Sequence, residues 1–278
     1  MEVLSRLIYI SSVHALPEGP PNKRIKETKQ FDPDQVVGQY AKTKAEATAY
    51  VLKVGRRGLH VNVVHPSGLI GPYDYGRGPM TTMIEDYAKG RLTSGMVGGY
   101  DFADVRDVVQ GIISCSRLGR PGETYILSNE YYKIRELLEM LQKITGRKSI
   151  RSYLPLWFVR IVAPLAELHY KVRKQPPLFT PYSIYTLSTD THYNHEKATK
   201  ELGYTTRDMA ETLRDTYRWL KEQGRVDDPI KIKKARSAKK AKKVKQPKPS
   251  KRSLKPIMTK RTRAEKRADR KSRKKRAK

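Results

Sequence analysis

The stretch Arg6-Leu-Ile-Tyr-Ile-Ser11-Ser12 decides the fold, because its apolar run predicts a strand that ends in a serine pair. The stretch Tyr40-Ala-Lys-Thr-Lys44 follows inside a helix predicted over residues 34–55. A second strand is predicted directly after that helix, at residues 59–65. The two strands and the serine pair give this Tyr-x-x-x-Lys spacing a structural setting that an arbitrary match lacks.

The Tyr-x-x-x-Lys spacing has a chemical use. Residues four apart lie on one face of a helix, so the Lys44 ammonium can sit beside the Tyr40 phenol. A neighbouring cation favours the phenolate, which suits a general acid and base, and Ser12 would hydrogen-bond the same substrate oxygen. The alternative is a surface tyrosine and lysine on an amphipathic helix. The same spacing also occurs at Tyr170/Lys174, Tyr193/Lys197 and Tyr217/Lys221.

Four further stretches extend the pattern along the chain. They are the predicted strand 58–65 with the following Pro66-Ser67-Gly68-Leu-Ile-Gly71-Pro72, the stretch 101–109, the stretch 196–204 and the stretch 212–219. Together with the serine pair, Tyr40 and Lys44, they resemble the extended short-chain dehydrogenase/reductase family. This family contains NAD-dependent epimerases and dehydratases and dihydroflavonol-reductase-like enzymes. The resemblance covers roughly residues 4–225.

The resemblance implies an α/β fold, the C-terminal part of a Rossmann-like doubly wound sheet with a small substrate lobe, in residues 1–228. It implies NAD or NADP as the cofactor and a small carbonyl or sugar-like compound as the substrate. Tyr40 would be the catalytic acid and base, Lys44 would assist it, and Ser12 would orient the substrate oxygen. The residues implied to contact the cofactor are Ser11, Tyr40, Lys44, Pro66, Ser67 and Gly68.

Two stretches are candidates for the substrate side. His14 follows the serine pair and is expected either to face the substrate or to be a structural histidine at the strand end. The loop Tyr73-Asp-Tyr75-Gly-Arg77-Gly78 is expected either to line the substrate pocket or to be an ordinary glycine-rich surface loop.

The phosphate-binding glycine turn of dinucleotide-binding folds is missing from the sequence. Neither G-x-x-G-x-x-G nor G-x-G-x-x-G occurs in it. By resemblance, four strands should precede Met1, so we expect a truncated product or a misplaced start, with an unpaired apolar edge at residues 6–12. The chain alone is then expected to be inactive, and a homodimer is expected only at full length.

The charge of the chain is concentrated at its C-terminal end. The net charge is +30, and residues 231–278 hold 25 Lys and Arg against 2 acidic residues, with no aromatic residue. Residues 229–278 are therefore expected to form a disordered basic tail. Such a tail favours non-specific binding of nucleic acid or another polyanion. The alternatives are a solubility tail or a tail that arose with the truncation.

Other sequence signals exclude several classes of site. Cys115 is single, so no internal disulfide can form, which fits a reducing compartment such as the cytoplasm. No His and Cys cluster has metal-ligand spacing, and no signal peptide or membrane-spanning run is present. The apolar stretch around Trp157 is expected to pack within the substrate lobe, with a membrane-surface helix as the alternative.

The predicted elements and functions complete the expectations. Strands are predicted at 6–12, 59–65 and 123–128, and helices at 34–55, 79–90, 105–117, 132–145, 155–173, 194–202 and 208–223. The favoured function is NAD(P)-dependent carbonyl reduction, ahead of sugar epimerisation, because the apolar lobe around Trp157 suits a less polar substrate than a nucleotide sugar. The alternative is an inactive fragment whose basic tail binds a polyanion.

Overall fold

A computed structural model of the chain describes residues 6–19, 23–158, 161 and 181–227. All of these residues lie in the first of the two units into which the chain divides, residues 1–232. The strands are β1 (Arg6–Ile10), β2 (His60–Pro66), β3 (Gly68–Ile70), β4 (Gly95–Met96), β5 (Gly99–Asp104), β6 (Thr124–Leu127), β7 (Glu130–Lys133) and β8 (Tyr153–Leu154). The helices are α1 (Gln39–Gly55), α2 (Pro79–Lys89), α3 (Val105–Leu118), α4 (Ile134–Thr145), α5 (Pro181–Ser188), α6 (Glu196–Leu202) and α7 (Met209–Glu222).

The main sheet is parallel and has the order β1-β2-β6. Strand β2 is buried along almost its whole length, as expected of a central parallel strand with both faces covered. Within the described residues β1 pairs only with β2, and Ile10 is 49% exposed. The sheet therefore ends in a partly apolar edge at β1, as the sequence predicts.

Helices α1 and α3 cover the two faces of this sheet. Helix α1 buries Ala41, Ala45, Thr48 and Leu52 against the core, and α3 buries Val108, Gly111 and Cys115. A side chain on Gly111 would lie 2.9 Å from Leu127, so the glycine allows α3 to pack closely on β6. Cys115 is fully buried in this packing.

Helix α1 begins later than the sequence predicts. The prediction of a helix from residue 34 is wrong, because a 3₁₀ turn occupies Pro33–Gln35 and Gly38 has a φ of +93°. A β-carbon at Gly38 would lie 2.5 Å from the Tyr182 ring. Gly38 thus breaks the helix and lets α5 approach its first turn.

A second sheet, not predicted from the sequence, has the order β3-β5-β7. Strand β5 is parallel to β3 and antiparallel to β7, and all six of its residues are buried. A third pair joins β4 to β8. These short strands extend the core beneath the end of the main sheet at which Ser11 and Ser12 lie.

The remaining predictions concern the C-terminal half. Helices at 132–145, 194–202 and 208–223 are confirmed within two residues at each end. Most of the helix predicted at 155–173 and the whole of 229–278 lie outside the described residues. Among the residues that are described, none forms a helix with the length and hydropathy needed to cross a bilayer.

Candidate active site

The serine pair lies at the carboxyl end of β1, against α1. Ser11 Oγ is 2.7 Å from Thr48 Oγ1, and Thr48 Oγ1 donates in turn to the Lys44 carbonyl. Ser12 Oγ accepts a hydrogen bond from the His14 amide at 3.3 Å and begins a 3₁₀ turn over Val13–Ala15. Ser11 thus fastens the strand end to the helix, and Ser12 shapes the turn that follows.

Tyr40 and Lys44 lie on the first two turns of α1, next to the same strand end. Lys44 Nζ donates to the Ile10 carbonyl at 3.1 Å and lies 5.5 Å from the centre of the Tyr9 ring. The lysine is therefore anchored on β1, which pairs only with β2 among the described residues. Tyr40 is 49% exposed, so its phenol is open to a ligand. The structure brings the three predicted catalytic residues together at the end of β1.

His14 faces a group of tyrosine rings. Its Nε2 is 3.0 Å from the Tyr100 hydroxyl, and the two rings are stacked with centres 5.5 Å apart. The Tyr40 ring lies 5.9 Å away, edge-on, and the Tyr182 ring lies 5.3 Å away. Burial lowers the pKa of His14 to about 4, so its imidazole is neutral at physiological pH.

A cleft of about 400 Å³, open to solvent, adjoins these rings. Its lining residues are Val13, His14, Leu16, Glu18, Ile25, Val36, Val37, Ala41, Tyr100, Tyr182, Tyr185, Thr186, Thr189, Thr191 and Tyr193. Glu18 is the one residue of this described lining with a formal charge at neutral pH, and it accepts a hydrogen bond from the Tyr185 hydroxyl. Tyr40 borders the cleft through its ring contacts with His14 and Tyr182.

The turn after β2 lies beside the serine pair. His65 Nδ1 is 3.0 Å from the Ser12 carbonyl, and the His65 ring stacks on Phe31. The Ser67 side chain is buried. A β-carbon on Gly68 would lie 2.7 Å from Phe102, so close packing on β5 by itself explains this glycine. The predicted cofactor-side residues are therefore adjacent to Ser12, at the ends of neighbouring parallel strands.

The structure places the loop of Tyr73, Tyr75 and Arg77 elsewhere. The rings of Tyr73 and Tyr75 both meet Trp219 edge-on, and Arg225 donates to the Asp74 carbonyl. None of the three predicted residues belongs to the described cleft lining. The loop is thus fastened to the end of α7, and its predicted part in substrate binding stays a prediction.

The tyrosines Tyr100, Tyr182 and Tyr193 are among the cleft residues that sequence reasoning missed. Tyr100 belongs to the unpredicted strand β5, and Tyr182 belongs to the unpredicted helix α5. Burial raises the pKa of Tyr182 to about 12 and also raises those of Tyr100 and Tyr193, so all three phenols stay protonated. No local spacing relates these residues, so only the tertiary structure could reveal them.

Metal-binding side chains are not grouped near this cleft among the residues that the structure describes. The described part of the chain contains no group of three or more His, Cys, Asp or Glu side chains that could hold a metal ion. The chemistry that the site offers is therefore that of a phenol, a hydroxyl, an ammonium and a neutral imidazole around one strand end.

Comparison with curated proteins identifies several relatives of this chain. Sterol demethylase protein B of Methylococcus capsulatus is 27% identical over 228 residues, which cover 80% of this chain and 68% of that protein. A protein of Synechocystis sp., provisionally named as a dihydroflavonol 4-reductase, is 26% identical over 80% of this chain and 66% of its own length. The chain thus spans about two thirds of the length of these two relatives.

Comparison with solved structures supports the Rossmann-like α/β fold. The crystal structure of gox2253 aligns with a TM-score of 0.67 and 29% identity, covering 80% of this chain and 68% of that one. A UDP-glucuronic acid 4-epimerase from Bacillus cereus, solved in complex with NAD, shares the fold at a TM-score of 0.55 and 16% identity, covering 78% of this chain and 62% of that one.

A family model agrees with these relatives and covers the segment that carries the serine pair, Tyr40 and Lys44. The model, described as the NAD dependent epimerase/dehydratase family, matches residues 2–128. The resemblance predicted from the sequence is confirmed, because residues 2–128 match the model of the NAD dependent epimerase/dehydratase family.

Proposed function

We propose that the cleft beside Tyr40 is the substrate site of an NAD(P)-dependent oxidoreductase that interconverts a carbonyl and an alcohol. The observation that carries the proposal is the convergence of Ser12, Tyr40 and Lys44 on the carboxyl end of β1. Ligands of parallel α/β sheets bind at the carboxyl ends of the strands. The match of residues 2–128 to the model of the NAD dependent epimerase/dehydratase family supports the same reading.

The residues at the strand ends fit the nicotinamide end of such a cofactor. Lys44 Nζ is held at the end of β1, and the Pro66–Gly68 turn follows β2 next to it. When bound, the nicotinamide supplies or accepts a hydride. For the pyrophosphate, the sequence contains no glycine turn of the expected spacing. We therefore propose separately that this chain binds the whole dinucleotide.

Each side chain has a separate task in the proposed reaction. The Tyr40 hydroxyl gives its proton to the substrate oxygen during reduction and takes it back during oxidation. The Ser12 hydroxyl hydrogen-bonds the same oxygen and fixes its direction. The Lys44 ammonium is held by the Ile10 carbonyl, on the helix face that Tyr40 shares, and it favours the developing phenolate.

The cleft supports an uncharged carbonyl substrate rather than a sugar nucleotide. A diphosphate is normally held by arginine, lysine or a helix N-terminus. The described residues that line this cleft include no arginine or lysine, and they include the carboxylate of Glu18. Tyrosine rings and aliphatic side chains form most of the lining, which suits a substrate with an apolar body.

Replacement of one hydroxyl tests the proposal. Tyr40→Phe removes the acid and base and keeps the ring, so we expect kcat/KM for ketone reduction with NADH or NADPH to fall by about 100-fold or more. Tyr50→Phe is the matched control, because Tyr50 lies on the same helix, is 67% exposed and lines no described part of the cleft. Equal turnover by Tyr40→Phe and Tyr50→Phe, or no turnover by the full chain with either dinucleotide, would contradict the proposal.

The basic C-terminal segment supports a second candidate function. Residues 231–278 carry 25 Lys and Arg and 2 acidic residues, and they include no aromatic residue on which a base could stack. This composition favours binding of double-stranded nucleic acid or another polyanion through phosphate contacts without sequence preference. The binding would be independent of the cleft.

A further inference from the structure

The cleft contains a polar pair that the proposed carbonyl reaction does not use. His14 Nε2 and the Tyr100 hydroxyl are 3.0 Å apart, and both residues line the cleft. Most of the other side chains around them are aliphatic or are tyrosine rings. A buried polar group in such a setting is costly unless it is hydrogen-bonded, so this pair can recognise a polar group of a ligand in the part of the cleft beside Tyr40.

The hydrogen bond to Tyr100 leaves one nitrogen of His14 available. A neutral imidazole has one donor and one acceptor nitrogen, and whichever role Nε2 takes toward Tyr100, Nδ1 takes the other. Nδ1 makes no hydrogen bond to another described residue. Burial keeps His14 uncharged, so Nδ1 suits an uncharged oxygen rather than a phosphate or a carboxylate.

The position of His14 relates this nitrogen to the reacting carbonyl. The ring centres of His14 and Tyr40 are 5.9 Å apart, edge-on, so the two side chains are in contact and border the same part of the cleft. Ser12 is two residues before His14 and accepts a hydrogen bond from the His14 amide. A ligand whose carbonyl meets Ser12 and Tyr40 can therefore present a second oxygen to the neighbouring His14.

We propose that His14, held by Tyr100, determines substrate specificity by hydrogen-bonding an uncharged second oxygen, so that the cleft prefers hydroxyketones or diketones to monoketones of the same shape. This inference rests on the proposed function, because it takes the carbonyl to lie at Tyr40. A site that pairs with a substrate hydroxyl discriminates against the analogue that lacks it, since the protein group is then left unpaired.

Two ligands that differ in one hydroxyl test the inference without turnover. We would titrate the full chain with 4-hydroxy-1-tetralone and with 1-tetralone, following ligand NMR signals. The expected result is that wild-type protein binds the hydroxyketone roughly three- to tenfold more tightly, the effect of one buried hydrogen bond. In His14→Phe the ratio of the two dissociation constants should fall to about one, and in Tyr100→Phe it should decrease.

The ratio of the two dissociation constants distinguishes recognition of the ligand hydroxyl by His14 from a structural role of His14. Loss of packing would weaken both ketones together and leave their ratio unchanged. Tyr100→Phe keeps the ring and removes one oxygen, so it gives the comparison even if His14→Phe does not fold. Equal binding of both ketones by the wild type, or an unchanged ratio in the variants, would overturn the inference and leave the Tyr40 reaction standing. Failure of the wild type to bind either ketone would overturn both.

Discussion

At the scale of single residues, His65 supports the strand end that carries Ser12. It is fully buried, its Nδ1 meets the Ser12 carbonyl at 3.0 Å, and its Nε2 has no partner among the described residues. Because a carbonyl can only accept, Nδ1 carries the proton and donates. Burial lowers the pKa of His65 to about 4. The residue is therefore a neutral clamp on the backbone of the proposed catalytic serine.

The buried neutral state of His65 makes the fold sensitive to acid. Its folded pKa of about 4 lies below its ordinary value of 6.5, so the unfolded chain binds more protons between these values. Stability is then complete above about pH 6.5 and is lost as the pH falls toward 4, by up to roughly 3 kcal/mol for this residue. Urea unfolding between pH 7 and pH 4 measures the loss.

His65→Asn is the matched variant for this measurement. The asparagine amide can still donate to the Ser12 carbonyl but cannot titrate, so the variant should lose less stability between pH 7 and pH 4 than the wild type does. Part of the acid loss should remain, because burial lowers the pKa of His14 in the same way. Parallel pH profiles for the wild type and His65→Asn would show that His65 makes no contribution.

The sequence predicts some residues of the site and misses others. Spacing along the chain indicated Tyr40 and Lys44, because four residues on a helix define one face. Tyr100 and Tyr193 come from a strand and a loop that meet only in the folded chain. The sequence does not distinguish Tyr100 and Tyr193 from its other tyrosines, because it contains 17 of them and the Tyr-x-x-x-Lys spacing at Tyr193 also occurs elsewhere.

At the scale of elements, α3 and α7 are joined through one carboxylate. Asp104 caps α3 by accepting from the Arg106 amide at 2.8 Å, pairs with the Arg106 guanidinium at 2.7 Å and accepts from Thr212 Oγ1 on α7 at 2.7 Å. Arg106 also pairs with Asp215 of α7. These bonds, together with the Arg106 charge, hold the pKa of Asp104 below its usual range despite its burial. The carboxylate thus fixes the closing helix on the sheet.

Asp104→Asn should destabilise the fold by about 3 kcal/mol at pH 7, because it leaves Arg106 without its buried partner. Asp215→Asn, whose carboxylate is 20% exposed, should cost about 1 kcal/mol and serves as the control. Because the pKa of Asp104 is lower in the folded chain than its value of about 4 in the unfolded chain, the ionised carboxylate stabilises the fold above about pH 4. This stabilisation is lost as the pH falls through the folded pKa. The difference between wild type and Asp104→Asn should therefore shrink below about pH 4 in urea unfolding. Equal costs for the two variants at pH 7 would contradict this account.

The elements that the sequence misses have compositions that conceal them. Strand β5 reads Gly-Tyr-Asp-Phe-Ala-Asp, in which glycine and aspartate disfavour strands. Its buried carboxylates are satisfied by distant partners, Asp101 by the Asn129 amide and Asp104 by Arg106 and Thr212. The long helices α3, α4 and α7 are predicted well, because each repeats apolar residues at the helical period.

At the scale of the whole molecule, the site stands at an edge of the fold rather than at its centre. In the described residues β1 is the last strand of its sheet, and both Lys44 and the exposed Ile10 lie at its end. Parallel sheets are normally covered on both sides and continued by further strands. The chain also spans only about two thirds of the length of the relatives it matches. Tyr40 and Lys44 lie at this edge, so the proposed reaction depends on binding of the dinucleotide there.

The distribution of charge leads to a prediction for the chain as a whole. If residues 231–278 bind polyanions, the affinity for a fluorescent 20-base-pair duplex should fall steeply with salt, since each neutralised phosphate releases counterions. With five or more contacts the slope of log K against log salt should be on the order of −5, and two duplexes of unrelated sequence should bind alike. Fluorescence anisotropy between 50 and 200 mM salt, roughly the range over which such contacts weaken, measures both effects.

Removal of residues 231–278 provides the comparison that locates this binding. The remaining chain keeps most of the acidic residues, 26 of the 28, and a much smaller positive charge, so its duplex binding should be lost. Ketone binding in the cleft should be unchanged, because every described residue that lines the cleft precedes residue 194. Duplex binding that persists without residues 231–278, or that does not respond to salt in the full chain, would contradict the polyanion function and leave the cleft as the functional part of the protein.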